Sequence, residues 1–352
     1  MSKLRFAAAL VAALSLAAGN DVGAARSRAH AAQAGSGYEK RADVREFIGE
    51  LARDEHIARA TLVRWFRDVR YQPAIIEAMD RPLVAPPKWY EYAPRFLTPA
   101  RVDAGVAFWR MHADALTRAE RDFGVPPEIV VAIIGVETFY GRNTGGYRVI
   151  DALTTLAFDY PRRASFFRNE LRQYLLLARD EKFSPLVHKG SFAGAFGVPQ
   201  FMPGSVRRFA VDYDGDGHID LWDSGDDAIG SVANYLARHD WLRGQPIWSK
   251  AMIAPSQLDA VMQKLDGGLS ERRPLAAWND DGVAAERLPD PLSPEPVGVL
   301  LLEGTGDGDA AQDLYVVFPN FYVITRYNKS RLYAAAVTSL AEAIRAQYDA
   351  RK

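Results

Sequence analysis

Residues 126–142, Pro-Pro-Glu-Ile-Val-Val-Ala-Ile-Ile-Gly-Val-Glu-Thr-Phe-Tyr-Gly-Arg, constrain the fold of this chain more than any other stretch. Pro126 and Pro127 at the first helical positions and Glu128 in the first turn are helix-start signals, and Gly141 is a stop signal. Between them the run is apolar on every side, which specifies a helix buried in the middle of a domain. It is too short and too closely capped to span a membrane. Its last turn carries one carboxylate, Glu137. Burial raises a carboxyl pKa, and the negative end of the helix dipole pushes the same way. A Glu kept partly protonated near neutral pH is what a general acid needs. The pattern also admits a plainer reading, a last-turn Glu that reaches solvent or an Arg such as Arg142.

The chain has 352 residues, enough for a large core and two or three structural units. Lys3 and Arg5 form a basic n-region, residues 6–18 an apolar h-region, and Ala29-His30-Ala31 an Ala-x-Ala cleavage site, with Gly23-Ala24-Ala25 as a second candidate. An uncleaved N-terminal anchor is the alternative, for which the h-region is short. Cleavage after Ala31 removes Lys3, Arg5, Arg26, Arg28 and Asp21, and takes the formal charge from -1 to -4. Neither value signals a nucleic-acid partner. There is no cysteine, which excludes disulfides, thiolate metal sites and a lipidated N-terminus; Asn20 stands where a lipid-bearing Cys would follow Leu-Ala-Ala-Gly. The expectation is an exported, soluble, periplasmic protein.

From 44 to 79 apolar residues recur at helical spacing, with Val44, Phe47, Ile48 and Leu51, then Leu62, Val63, Phe66 and Val69, and a further short helix beginning at Ile75. Residues 82–99 read as an extended, Pro-rich connection whose Trp89, Tyr90, Tyr92 and Phe96 either line a sugar groove or pin the linker to the core. Thr98-Pro99 opens one long amphipathic helix ending near Phe123-Gly124. Further helices are expected around 152–158 and over 164–179. Residues 191–203 are rich in Gly and small side chains, which suits close approach of backbone to a ligand or a tight structural turn.

Asp212-Tyr-Asp-Gly-Asp-Gly-His-Ile-Asp220 matches the opening of an EF-hand calcium loop, with oxygen side chains at positions 1, 3 and 5, Gly217 at the sharp turn and flanking helical patterns over 204–210 and 227–238. His218 at position 7 would offer its backbone carbonyl. Position 12 is Asp223 rather than Glu, so Asp226 or Asp227 is a candidate to close a longer loop. So many carboxylates around a glycine turn repel one another without a cation. Beyond Trp241 the chain becomes turn-rich, and 297–302 and 314–318 read as strands of a small β-rich unit, followed by a C-terminal helix through Ala346. His112, His188 and His239 are isolated and read as surface or supporting groups, and no Gly-x-Ser-x-Gly elbow is present.

Taken together, Gly124-Val-Pro-Pro-Glu-Ile129 with Gly135-Val-Glu-Thr138, Ser191-Phe-Ala-Gly-Ala195, Gln200-Phe-Met-Pro203, Asp216-Gly-His-Ile219, Ala228-Ile-Gly-Ser-Val-Ala-Asn-Tyr235 and Arg326-Tyr-Asn328 resemble the lytic murein transglycosylase B family, in family order and over roughly residues 92–333. The resemblance implies a mainly α (α+β) fold. Its parts would be a signal peptide over 1–31, an N-terminal helical subdomain over 38–97, a lysozyme-like core over 98–244, a small inserted β-rich domain over 245–320, and a return to the core over 321–352. It implies non-hydrolytic cleavage of the β-1,4 bond between N-acetylmuramic acid and N-acetylglucosamine in peptidoglycan, with Glu137 as single acid and base and a 1,6-anhydro product. By motif match Ser191, Gln200, Tyr235, Tyr327, Asn328 and Tyr333 would line glycan subsites, with Tyr92 a further match and Arg162 and Arg163 facing acidic stem peptides. Asp212, Asp214, Asp216, His218 by its carbonyl and Asp227 would hold a structural Ca2+. Asp214 adds charge at a position that can be Ser in the family, and the loop is one residue longer. The implied partners are peptidoglycan strands and other cell-wall enzymes, with the protein itself a monomer. Alternatives are a hydrolytic muramidase and a non-catalytic peptidoglycan-binding envelope protein.

Overall fold

A computed structural model of the protein describes residues 36–81, 85–288, 290–304 and 312–351. The expected signal segment lies outside the described residues. In chain order the helices are α1 Ala42–Asp54, α2 Arg59–Arg67, α3 Pro73–Asp80, α4 Trp89–Tyr92, α5 Pro99–Met111, α6 Ala113–Phe123, α7 Pro127–Thr138, α8 Val149–Asp159, α9 Ala164–Asp180, α10 Pro203–Phe209 and α11 Gly225–Ala237. They continue with α12 Leu258–Met262, α13 Leu275–Asp280, α14 Pro319–Tyr327 and α15 Arg331–Ala350. The strands are β1 Tyr147–Arg148, β2 Lys189–Gly190, β3 Trp248–Ile253, β4 Leu265–Asp266, β5 Leu269–Ser270, β6 Val283–Ala285, β7 Gly298–Glu303 and β8 Gln312–Val317. Helices dominate, as the sequence leads one to expect. The chain divides into two compact units, residues up to 83 with 141–231, and residues 84–140 with 232–352.

In the first unit α9 packs on α8 and α10, and α8 on α3. The buried Asp151 is fully engaged: Arg148 donates to it from Nε at 2.8 Å, and the Arg70 backbone N–H at 2.9 Å. Glu170, also buried, accepts the Gly204 N–H at 2.7 Å at the start of α10, and burial raises its pKa. Tyr147 and Arg148 pair antiparallel with Gly190 and Lys189, a two-stranded ribbon that leads into the glycine-rich run.

The second unit is built around α7, which packs against α15, α5 and α6. Every residue from Ile129 to Val136 is buried, the outcome expected of a helix apolar on all sides. Arg345 of α15 pairs with Glu128 at 2.8 Å and lies over the Trp109 ring, so the N-terminal end of α7 is tied to α15 and α15 to α5. Gly105 and Gly135 make room for the Tyr140 ring: a Cβ at either would sit 2.5 or 2.6 Å from the Tyr140 hydroxyl, which donates to the Arg101 carbonyl at 3.0 Å. The remaining strands of this unit form one antiparallel sheet in the order β4-β5-β7-β8-β3-β6. Its core holds Trp278, Val283, Val299, Val316 and Phe318, with the Trp278 indole N–H on the Val297 carbonyl at 3.2 Å.

Two sequence expectations are corrected. The single helix over 99–123 is two helices, because His112 leaves helical geometry (φ -116°, ψ 29°) while its N–H and carbonyl still bond Phe108 and Leu116, so the axis bends without losing hydrogen bonds. The connection carrying Trp89 and Tyr92 is not extended where it is described: it forms α4 and a 3₁₀ turn Ala93–Arg95, started by the Glu91 carboxylate accepting the Lys88 N–H at 2.9 Å.

Candidate active site

The geometry of the Glu137 region begins with how α7 stops. Its C-terminus is closed by Phe139 and Tyr140, both in the left-handed region (φ 51° and 59°), two residues and one residue before the glycine expected to end it. Phe139 N–H returns to the Gly135 carbonyl at 3.1 Å and Tyr140 N–H to Ile134 at 3.4 Å. Non-glycine residues in that conformation carry strain. The packed Tyr140 ring holds them there.

Glu137 is half-buried and accepts one hydrogen bond, from the Tyr333 hydroxyl to Oε1 at 2.6 Å. Among the described residues it makes no ion pair, so the plainer reading of a pair with Arg142 is set aside. Burial raises its pKa to about 7, against a smaller lowering by the Tyr333 bond, and no other carboxylate contributes. Near neutral pH this group exists in both protonation states, and among the described residues its second oxygen carries no hydrogen bond.

Tyrosines surround it. Tyr333 sits in the first turn of α15, where the Ser330 hydroxyl caps the helix by accepting the Tyr333 N–H. Its ring stacks on that of Tyr327 at 6.4 Å and 11°, and Tyr327 meets Tyr235 edge-on at 4.9 Å. Tyr235 donates to the Arg326 carbonyl at 2.7 Å. Burial and then the charge of Glu137 push the hydroxyls of Tyr327, Tyr333 and Tyr92 well above the ordinary tyrosine range. They are neutral donors wherever Glu137 titrates. Asn328 follows α14 in extended geometry and is half-buried. His239, which the sequence reading set among supporting groups, stacks on Tyr235 at 4.1 Å and bonds its carbonyl through Nδ1 at 2.7 Å.

The other residues singled out by sequence lie in the first unit. Ser191 is half-buried, its Oγ accepting the Ala195 N–H at 3.1 Å. Gln200 adopts a left-handed conformation (φ 52°) and gives its amide to the carbonyls of Thr144 and Gly197, both at 3.0 Å, leaving Oε1 as an acceptor. Arg162 is exposed and pairs with Asp80 at 3.5 Å. Arg163 lies over Phe166 and Phe167, and burial lowers its pKa.

The acidic loop brings together carboxylate oxygens of Asp212, Asp214 and Asp227 within 4.8 Å of one another. Asp212 accepts the N–H groups of Gly215 and Gly217, whose positive φ (79° and 93°) only glycine adopts freely. Asp227 is buried and accepts N–H groups from Tyr213 at 2.7 Å, Asp214 at 3.3 Å and Asp220 at 2.8 Å. Asp216 and His218 are exposed and outside this trio; the His218 ring lies 3.6 Å from Glu181. Asp223 and Asp226 are outside it as well. An all-oxygen, carboxylate-rich donor set on a loop with glycine turns fits a hard cation such as Ca2+. Sequence reasoning overlooked Ser224, whose hydroxyl donates to Asp214 at 2.8 Å and accepts the Asp227 N–H at 3.2 Å. The Ser-x-x-Asp spacing before an apolar helix was the signal available, since it marks Ser224 as N-cap and Asp227 as the third helical residue.

Comparison with known proteins adds to this geometry. Residues 39–342 match the family model described as Transglycosylase SLT domain. The chain is 40% identical over 321 residues, 89% of its own length and 85% of the relative's, to membrane-bound lytic murein transglycosylase B of Escherichia coli. It resembles the crystal structure of soluble lytic transglycosylase SltB1 from Pseudomonas aeruginosa at 47% identity and a TM-score of 0.78, covering 86% of this chain and 98% of that one. It also resembles the Escherichia coli lytic transglycosylase Slt35 in complex with calcium at 40% identity and a TM-score of 0.77, covering 86% and 93%.

Proposed function

The chain belongs to the transglycosylase SLT domain family, with a lysozyme-like lytic transglycosylase fold, and from that premise we propose that Glu137 alone performs the proton transfers of peptidoglycan cleavage. The observation that carries the proposal is the Glu137 carboxyl itself, raised to about 7 by burial, held at one oxygen by Tyr333 and shifted by no second carboxylate. Protonated, it gives its proton to the glycosidic oxygen leaving C1 of N-acetylmuramic acid. The C1–O bond breaks, and positive charge develops on the sugar beside the new carboxylate. Glu137 then takes the proton of the muramic C6 hydroxyl as O6 bonds to C1, so the 1,6-anhydro ring closes and the enzyme returns to its starting state with no water consumed. Most glycosidases that use water or a covalent intermediate place a second carboxylate at the site. An intramolecular hydroxyl requires only to be held in position. In the second unit Tyr333, Tyr327, Tyr235, Tyr92 and Asn328 are the glycan-binding residues of this reading; in the first unit, taken by itself, they are Ser191, Gln200, Arg162 and Arg163.

The same reading gives the acidic loop a resident Ca2+, held by Asp212, Asp214 and Asp227 with Asp216 and the His218 carbonyl completing the set, and gives the ion a structural role. It retains the division into a helical subdomain over 38–97, a core over 98–244, a β-rich domain over 245–320 and a return over 321–352. It places the protein in the periplasm. No described helix is long and apolar enough to cross a membrane.

The test is mass analysis of products released from purified sacculi, with Glu137→Gln alongside. Anhydromuropeptides from the native protein and none from the variant are the expected result. Products heavier by one water would assign a muramidase, and release undiminished in the variant would remove Glu137 from the chemistry.

A further inference from the structure

The acidic loop does not end at its carboxylates. Asp227, one of the clustered trio, accepts the Asp220 N–H at 2.8 Å, and Asp220 accepts the N–H groups of Trp222 at 2.8 Å and Asp223 at 3.0 Å. Leu221 and Trp222 then reach the glycine-rich run. The Leu221 carbonyl accepts the Val198 N–H at 2.7 Å. Gly197 lies against the same residue so closely that a Cβ there would sit 2.6 Å from the Leu221 oxygen. The Trp222 ring lies nearly parallel to Phe196, at 4.5 Å and 5°, and also stacks on His188 at 3.9 Å and 23°. Its indole N–H bonds the Lys189 carbonyl at 3.2 Å. Lys189 and Phe196 flank the segment that holds Ser191, and Phe196 pairs through both backbone bonds with Phe201, next to Gln200.

From this continuous path we infer that Trp222 is a positioning residue through which occupancy of the acidic loop sets the geometry of the Ser191–Gln200 glycan surface. The inference rests on the reading of Ser191 and Gln200 as glycan-binding residues. Its physical basis is that the energy of the clustered loop depends on whether a cation neutralises it. Neutralised by a cation, the carboxylates of Asp212, Asp214 and Asp227 stay clustered; without it they repel, and Asp220 is tied to the group that moves. Phe196 and Leu221 are fully buried, so a shift of the loop displaces the run instead of being absorbed by solvent. Coupling of this kind is reciprocal: the ion tightens glycan binding by the same factor by which glycan tightens ion binding.

The experiment uses the full chain carrying Glu137→Gln, so that glycan is bound and not consumed. Calcium is titrated calorimetrically with and without a saturating murein-derived tetrasaccharide, and amide hydrogen exchange is followed at Val198 and Phe201. With Trp222 present, the calcium Kd is expected to fall about fivefold when glycan is bound, and Val198 and Phe201 to lose protection on chelation. Trp222→Phe keeps the ring stack and should keep the coupling. Trp222→Ala should bind calcium within about twofold of the parent in the free protein yet show no response of calcium affinity to glycan. Equal calcium affinities with and without glycan in the parent overturn the inference, as does loss of calcium binding itself in both Trp222 variants. Ser191→Ala and Gln200→Ala separate the two levels: if they leave glycan binding unchanged, the glycan-surface reading has failed, and if they weaken it while the parent shows no coupling, only the role of Trp222 has failed.

Discussion

Glu137, half-buried, and Asp227, buried, are both carboxylates in terminal turns of helices, and burial raises the pKa of each, yet their surroundings lead to opposite chemistry. Asp227, in the first turn of α11, is met by three backbone N–H groups and lies against Asp212 and Asp214. Its charge is favoured by the donors and the helix dipole, and the excess of negative charge around it calls for a cation. Glu137, in the last turn of α7, has the dipole against it and one hydroxyl donor from Tyr333. Burial disfavours its anion and the single Tyr333 donor offsets only part of that, so the proton is held to about 7. Between these two carboxylates, donor supply and neighbouring charge separate a candidate ion ligand from a candidate acid.

The largest effect expected from breaking this contrast is on turnover. Glu137→Gln preserves shape and the bond from Tyr333 but cannot exchange a proton, and should cut anhydro-product formation by about 10²- to 10⁴-fold. A loss below tenfold in a sacculus assay would mean that another group protonates the leaving oxygen. Next in size is removal of the ion. Chelation leaves the Asp212, Asp214 and Asp227 charges uncompensated, and should lower Tm by about 5–10 °C. In Asp227→Asn protein the chelator should have almost no further effect. A calorimetric scan in which chelator moves both proteins equally would place the ion elsewhere.

A smaller effect concerns stability against pH. The folded pKa of Glu137 lies near 7, above its ordinary 4.5, so between these values the folded chain holds more protons than the unfolded one. Its neutral form favours folding below pH 4.5, and that contribution is lost as pH rises through 7. Glu137→Gln removes the cost of the buried charge. Its gain over the native protein should be near zero at pH 4.5 and reach about 1–3 kcal/mol at pH 8, the lower part of the range reflecting the partial exposure of the residue. Denaturant midpoints at the two pH values measure it, and a pH-independent difference would contradict the raised pKa.

How much of this could be read from the chain depends on how local each feature is. The burial of α7 follows from a run with no polar face, and the acidic loop from the spacing of Asp212, Asp214 and Gly217, both contained in one short stretch. Loop spacing alone does not separate Asp227 from Asp226, and the resemblance favours Asp227; Ser224 three residues earlier marks the helix start and bonds the Asp227 N–H. The break at His112 has no Pro or Gly to announce it, and hydrogen bonds run through it, so neither composition nor bonding pattern marks the place. The left-handed Phe139 and Tyr140 were illegible for a related reason, since the cost is offset by a ring seated between Gly105 and Gly135, thirty residues apart in sequence. The bond from Tyr333 to Glu137 crosses 196 residues, and no periodicity reports such a pairing. Family pattern brought Tyr333 forward, without its partner.

That bond gives the finest way to sharpen the comparison. If donor supply separates the two carboxylates, then removing the one donor of Glu137 should carry it further from Asp227. Tyr333→Phe keeps the ring stack on Tyr327 and deletes only the hydroxyl, which lowers the Glu137 pKa while present. The pKa should therefore rise in the variant. Because the first step uses the protonated acid, the limb on which rate falls with increasing pH should move upward, so the variant loses less activity between pH 6 and 8 than the native protein does. At its own optimum it should still be slower, by about tenfold, since the carboxyl is no longer held at one oxygen and the developing carboxylate loses a donor worth about 1–2 kcal/mol. A pH profile of anhydro-product release separates these two consequences. A slower enzyme with an unmoved limb would make Tyr333 a positioning group only, and a limb displaced downward would mean that the hydroxyl stabilises the neutral acid rather than its anion.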